Sequence, residues 1–112
     1  MLNTRITVRE AIVKVSTQEW SRQKNGTLSI KNAERFGLFY GLDNFMNDLA
    51  TENVRDFKHH CRTVLSYKHG TINRKLAALS KLCTYSRGVK GFQFTWGLPL
   101  IEYEKENNKR DF

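Results

Sequence analysis

The chain has 112 residues, 39% apolar and 27% charged, with a formal net charge of +8. A chain of this size supports one hydrophobic core and no second domain, and its composition excludes disorder throughout. With one proline and seven glycines, collagenous and proline-rich classes are excluded as well.

The charge is unevenly placed. All eleven acidic residues lie in 1–56 or 102–112. Between Phe57 and Ile101 stand Lys58, Arg62, Lys68, Arg74, Lys75, Lys81, Arg87 and Lys90 with all three histidines, and no Asp or Glu. Solubility needs no single-sign run of that length, and a polyanionic partner accounts for it better. No membrane span is expected: the apolar run Val89–Ile101 is short and broken by Lys90, Gly91, Gln93, Gly97 and Pro99. Arg5, Arg9, Glu10, Lys14 and Glu19 leave no apolar leader segment. Cys61 and Cys83, each in a helical pattern, fit a reducing cytoplasm.

Four helices and a tail are expected. Thr7-Val8-Arg9-Glu10 has the form of a capping box. Behind it Val8, Ala11, Ile12 and Val15 form one stripe of a helix over about 7–23. Lys24-Asn25-Gly26-Thr27 breaks that helix. Ser29 caps the second, roughly 29–40, with Ala33, Phe36 and Tyr40 on one side and Gly41 as its stop. In the connection 42–50, Leu42, Phe45 and Leu49 are candidate core plugs, and Phe45-Met46 a candidate single turn. Thr51 caps the third helix, whose Val54, Phe57, Cys61, Val64 and Leu65 make an apolar stripe. Tyr67–Gly70 ends it. Thr71 caps the fourth, about 71–87, with Ile72, Leu76, Leu79 and Cys83 inward. Phe92–Trp96 alternates but follows the bundle. Glu102–Phe112 has Tyr103 as its only apolar residue before Phe112. Burial there does not offset the roughly 1–2 kcal/mol per residue of backbone ordering, so this tail is expected to lie apart from the bundle.

On the fourth helix Arg74 and Lys81, seven apart, point away from the core with Ala77 and Ala78 between them. Small residues flanked by cations let a phosphate ladder approach. Asn73 on the flank suits adenine or a phosphate. Thr71 with the N–H groups of Ile72 and Asn73 is a candidate anion site, preceded by Lys68 and His69. On the third helix Arg55, His59, Arg62 and Ser66 form a polar stripe, either a second phosphate-facing surface or solvent-facing charge. His59-His60-Cys61 lacks metal-ligand spacing, and no catalytic constellation or cofactor motif stands out. Tyr85 reads as a packing residue, and Trp20, off the helix 1 stripe, as cover for an edge of the bundle.

Leu49-Ala50-Thr51-Glu52-Asn53-Val54-Arg55-Asp56-Phe57, followed by Thr71-Ile72-Asn73-Arg74-Lys75-Leu76-Ala77-Ala78-Leu79-Ser80-Lys81-Leu82, resembles the N-terminal core-binding domain of phage-type integrases, the tyrosine recombinases. The resemblance extends upstream through Thr7–Ala11 and Ala33–Gly41 and covers about 7–90. It departs at Cys83-Thr84, where bulky aromatics are usual, and at Phe45-Met46-Asn47, where a proline is usual.

The resemblance implies an all-α, four-helix SAM-like bundle over 1–90 that forms half of a clamp around duplex DNA. It implies an extended interdomain linker over 91–112 leading to a catalytic domain beyond this chain. Partners would be double-stranded DNA, that catalytic domain and other recombinase protomers, with no membrane and no cofactor. The family's DNA contacts fall here on Lys24, Thr27, Ser29, Lys31, Asn32 and Arg35, and on Lys68, His69, Thr71, Asn73, Arg74, Lys75 and Lys81. A SAM-type protein-interaction module with a basic face is the alternative. It calls for an apolar patch outside the core, for which Trp20 and Trp96 are the sequence candidates.

Overall fold

A computed structural model describes residues 5–88 and 98–105. The expected alternation at Phe92–Trp96, the domain boundary near residue 90, and the tail beyond Lys105 lie outside the described residues, as do the side chain of Arg87 and all of Lys90.

Among the described residues the fold is all-α, with four helices: α1 (Val8–Gln18), α2 (Gly26–Tyr40), α3 (Thr51–Thr63) and α4 (His69–Gly88). Among the described residues the sole β feature is an isolated antiparallel bridge between Thr7 and Phe45.

The N-terminus of α1 forms as its sequence predicts. Thr7 Oγ1 accepts from the Glu10 N–H at 3.1 Å, and the Thr7 N–H donates to Glu10 Oε1 at 2.9 Å. These bonds hold the Glu10 carboxyl below its usual range. The connection after α2 closes over the same helix end. The N–H groups of Val8 and Arg9, which lack partners within the helix, donate to the carbonyls of Asn44 and Leu42, both at 2.9 Å. Met46, in a short 3₁₀ turn (Met46–Asp48), and Leu49 are fully buried. Leu42 and Phe45 are only half-buried, so Met46 rather than Phe45 plugs this end of the core.

α1 is shorter than expected and ends at Gln18. The chain then makes a 3₁₀ turn (Trp20–Arg22) that drives Trp20 into the core at 3% exposure. Trp20 is therefore a core residue and not edge cover. Gly26 explains the change: a Cβ built on it would sit 1.7 Å from the Trp20 carbonyl oxygen. Only glycine permits the chain to cross so close to its own backbone. α2 consequently begins at Gly26, three residues before Ser29, and Ser29 is inside the helix instead of capping it. The expected break at Gly26-Thr27 is the first turn of α2. The helix stops at Gly41, whose φ of 112° disfavours any residue with a Cβ.

Thr51 is the first residue of α3 and not its cap; Asn53 Oδ1 instead accepts from the Ala50 N–H at 2.8 Å. Val54, Phe57 and Cys61 are buried as the stripe predicts, but Val64 is 67% exposed because α3 has already ended at Thr63. Ser66, at φ 56°, lies in the turn to α4 and does not extend the α3 polar stripe. α4 starts two residues earlier than Thr71, with the Ile72 N–H donating to the Lys68 carbonyl at 3.0 Å. Its inward face holds Ile72, Leu76, Leu79 and Cys83 as predicted, together with Leu82.

The core joins all four helices. Phe36 of α2 meets Phe57 of α3 edge to face, 5.1 Å between centroids. Truncating either ring would cost about 3–5 kcal/mol. Cys83 sits in this interior, and burial pushes its thiol up to about 12. Tyr85 packs against the core and donates its hydroxyl to Gln18 at 2.8 Å, a packing role as expected.

The described part of the tail does not lie apart. Residues 98–105 run along the groove between α3 and α4, held by Thr51, Arg55, Lys58, Arg62, His69 and Asn73. The expectation of an independent tail counted apolar burial alone and omitted this polar docking.

Candidate nucleic-acid interface

α2 packs against α4, which brings together the two regions singled out in sequence. Their join is a cleft of about 310 Å³ between the start of α2 and the outer middle of α4. Ser29 and Asn32 line it from α2, and Arg74, Ala77 and Lys81 from α4. Arg74 and Ala77 are exposed, whereas Ala78 is buried at 6% and forms no part of the outer ridge. Arg74 and Lys81 stand two turns apart on one side of α4, with the exposed Ala77 between them. Lys81 pairs with Glu19 at 3.6 Å, both side chains about two-fifths exposed. A pair so exposed contributes about 0–1 kcal/mol, and Lys81 can exchange it for another anion. Lys24, Thr27 and Lys31 are exposed at the same end of α2, and Arg35 is half-buried one turn further on.

Two of the predicted contact residues face inward. Asn32 is buried, and its Oδ1 accepts from Lys75 Nζ at 3.0 Å. The Lys75 ammonium also sits 4.7 Å from the centre of the Tyr67 ring. Burial lowers its pKa. This pair ties α2 to α4 and is not an outward contact. Thr71 is half-buried inside the first turn of α4. Since the Ile72 N–H is already bonded to Lys68, the predicted anion site at Thr71 is not formed as drawn; Lys68, exposed, stands at the helix start.

His69 and Asn73 face the other flank of α4, toward the tail. Asn73 Nδ2 donates to the Glu104 carbonyl at 2.9 Å, and Asn73 Oδ1 accepts from the Glu104 N–H at 2.7 Å. His69 Nδ1 lies 3.0 Å from the Lys105 carbonyl. Across the groove Arg55 pairs with Glu102 at 2.8 Å, and Arg62 and Lys58 both pair with Glu104, Lys58 at 3.4 Å. Arg55 holds the Glu102 carboxyl below its usual range. For Glu104, burial pushes upward, but Arg62 and Lys58 outweigh it and leave the pKa lowered. Sequence reasoning missed Lys58 and the docking of the tail. The signal was present in the acid-free run itself, whose nearest downstream carboxylates are Glu102 and Glu104.

Among the described residues no group of three or more His, Cys, Asp or Glu could hold a metal ion. No helix among them is long and apolar enough to cross a membrane. On another side of the bundle, a cleft of about 420 Å³ between α1 and α2 is lined by Ile12, Val13, Leu38 and Leu42, with Arg9 and Glu34 at its edge. Val13 and Leu38 there are 60% and 66% exposed. Val13 and Leu38 are thus exposed apolar residues that the sequence reading did not single out; of its two candidates for such a patch, Trp20 is buried and Trp96 lies outside the described residues.

No protein-family model, curated protein or solved structure matches this chain.

Proposed function

We propose that this chain is a DNA-binding module, the core-binding part of a phage-type integrase, which grips duplex DNA at a recombination site during DNA integration. The observation that carries the proposal is the α4 ridge, where Arg74 and Lys81 flank the exposed Ala77 beside the start of α2. Two cations separated by a small residue let a phosphate backbone approach the helix closely, and Lys24 and Lys31 extend the positive surface. Such contacts position a protein on DNA without reading bases. The T-I-N-R-x-L resemblance at Thr71–Leu76 supports the same assignment. In this proposal duplex DNA, a catalytic domain of the same parent protein and other recombinase protomers are the partners. Strand cleavage belongs to the catalytic domain and not to these residues.

The test is binding of a labelled duplex of arbitrary sequence, competed by unrelated duplexes, with a supercoiled plasmid carrying a cognate site as the cleavage control. The proposal expects binding, full competition, an intact plasmid and no covalent protein–DNA adduct. An adduct through Tyr85, or no binding at low salt, contradicts it.

A SAM-type protein-interaction module is the second reading, favoured by the exposed Val13 and Leu38 patch between α1 and α2. It predicts that Leu38→Asp abolishes capture of a partner protein while duplex binding is absent in the parent chain.

A further inference from the structure

The groove between α3 and α4 carries Arg55, Lys58 and Arg62 on one wall and His69 and Asn73 on the other. From Phe57 to Ile101 the chain supplies no acid of its own. In this groove the carboxylates paired with the three α3 cations are those of Glu102 and Glu104.

The fit is periodic. Leu100 donates its N–H to Thr51 Oγ1 at 2.9 Å, Glu102 meets Arg55, and Glu104 meets Arg62. Two residues of chain, if extended, span about 6.7 Å, close to the roughly 5.4 Å of one helical turn. Thr51 to Arg55 and Arg55 to Lys58 are each about one turn of α3, matching the steps Leu100 to Glu102 and Glu102 to Glu104, and Arg62, a further turn on, also reaches Glu104. Most of the anchoring uses backbone groups and carboxylates: Lys58 Nζ donates to the Glu102 carbonyl at 2.5 Å, and Asn73 grips both backbone groups of Glu104. Tyr103 between them remains half exposed. The groove thus holds an anionic segment mainly by its charge and its acceptors, the features a nucleic-acid backbone also presents.

We infer that the α3–α4 groove is a second phosphate-binding surface, masked in cis by the Glu102-Tyr103-Glu104 strand, and that duplex DNA displaces this strand to reach Arg55, Lys58 and Arg62. The inference rests on the duplex-binding proposal above and adds a regulated contact to it. Docked, the two tail carboxylates offset two of these three positive charges and leave the Arg74–Lys81 ridge as the open phosphate surface. Displaced, it leaves these cations to phosphate and widens the footprint.

The test compares the full chain with Glu102→Gln/Glu104→Gln, using a 20-base-pair duplex of arbitrary sequence. A second variant, Glu34→Gln/Asp43→Asn, makes the same charge change elsewhere on the surface. Freeing two cations for phosphate should steepen the slope of log K against log salt by about two and tighten binding at 0.1 M salt by at least about tenfold. The effect should exceed that of the Glu34/Asp43 variant. Adding Arg62→Ala to the Glu102/Glu104 variant should remove about one unit of the gained slope. In the parent chain, duplex should abolish the exchange protection of the Glu104 amide. If the Glu102/Glu104 variant binds no better than the Glu34/Asp43 variant while the parent still binds through Arg74 and Lys81, the masking is wrong and the duplex-binding proposal stands. If neither parent nor variant binds duplex, both are overturned.

Discussion

Asn73 grips the backbone of Glu104 through both groups of its side-chain amide, accepting from the N–H at 2.7 Å and donating to the carbonyl at 2.9 Å. The residues are 31 apart in sequence. Asn73 was a candidate base reader; in the free chain it acts instead as a clamp that fastens the tail to the first turns of α4.

Asn73→Ala should therefore release the tail without unfolding the bundle. Two hydrogen bonds are lost, each worth about 0.5–1.5 kcal/mol net. Amide exchange should show the Glu104 N–H losing its protection while Leu76 and Leu79 keep theirs. Unchanged protection at Glu104 would mean that the ion pairs alone hold the strand.

Tail docking should also depend on pH. Glu102 is held below the usual glutamate value of 4.5 by its bond to Arg55; Glu104 is lowered too, Arg62 and Lys58 outweighing the upward push of burial. A carboxyl whose pKa is depressed by docking stabilises the docked state at and above its undocked pKa. That contribution is lost as pH falls through the lowered docked value. Docking followed by the Glu104 amide resonance should accordingly be full at pH 7 and decline below about pH 4.5. Docking that stays full well below about pH 4.5 would mean that the two glutamates do not hold the strand.

Much of the bundle was legible because it rests on local rules. The capping box at Thr7 and Glu10, the stripes of α1 and α4, and the outward Arg74 and Lys81 follow from spacing alone. The features that were not legible depend on close approach between segments. Trp20 enters the core because Gly26 lets two backbones cross, and neither the apolar periodicity nor a break signal at Lys24–Thr27 carries that information. Lys75 and Asn32 read as outward cation and amide, but the packing of α2 on α4 turns them toward each other. The tail reads as unsupported when only apolar burial is counted, because its partners are cations more than 40 residues away.

Gly26→Ala tests the crossing at Trp20. A methyl 1.7 Å from the Trp20 carbonyl oxygen has no room, and neither backbone can yield without moving α2 or the 3₁₀ turn. The expected loss is at least the 1–3 kcal/mol typical of overpacking, approximately, seen as a lower thermal midpoint by circular dichroism. Leu28→Ala, at an exposed position of the same turn, should change it little. An unchanged midpoint for Gly26→Ala would mean that α2 can start later, as the capping potential of Ser29 suggests.

The proposed contact between the α4 ridge and the phosphate backbone of duplex DNA should show itself in the salt dependence of binding. With about four to six phosphates neutralised, log K should fall against log salt with a slope near −4 to −5. Arg74→Ala and Lys81→Ala should each reduce the steepness by about one while leaving the fold intact. Lys75→Ala, by contrast, should act on stability through its bond to Asn32 and leave the slope unchanged. A flat salt response, or a slope that Arg74→Ala and Lys81→Ala leave untouched, would mean that the α4 ridge does not bind phosphate.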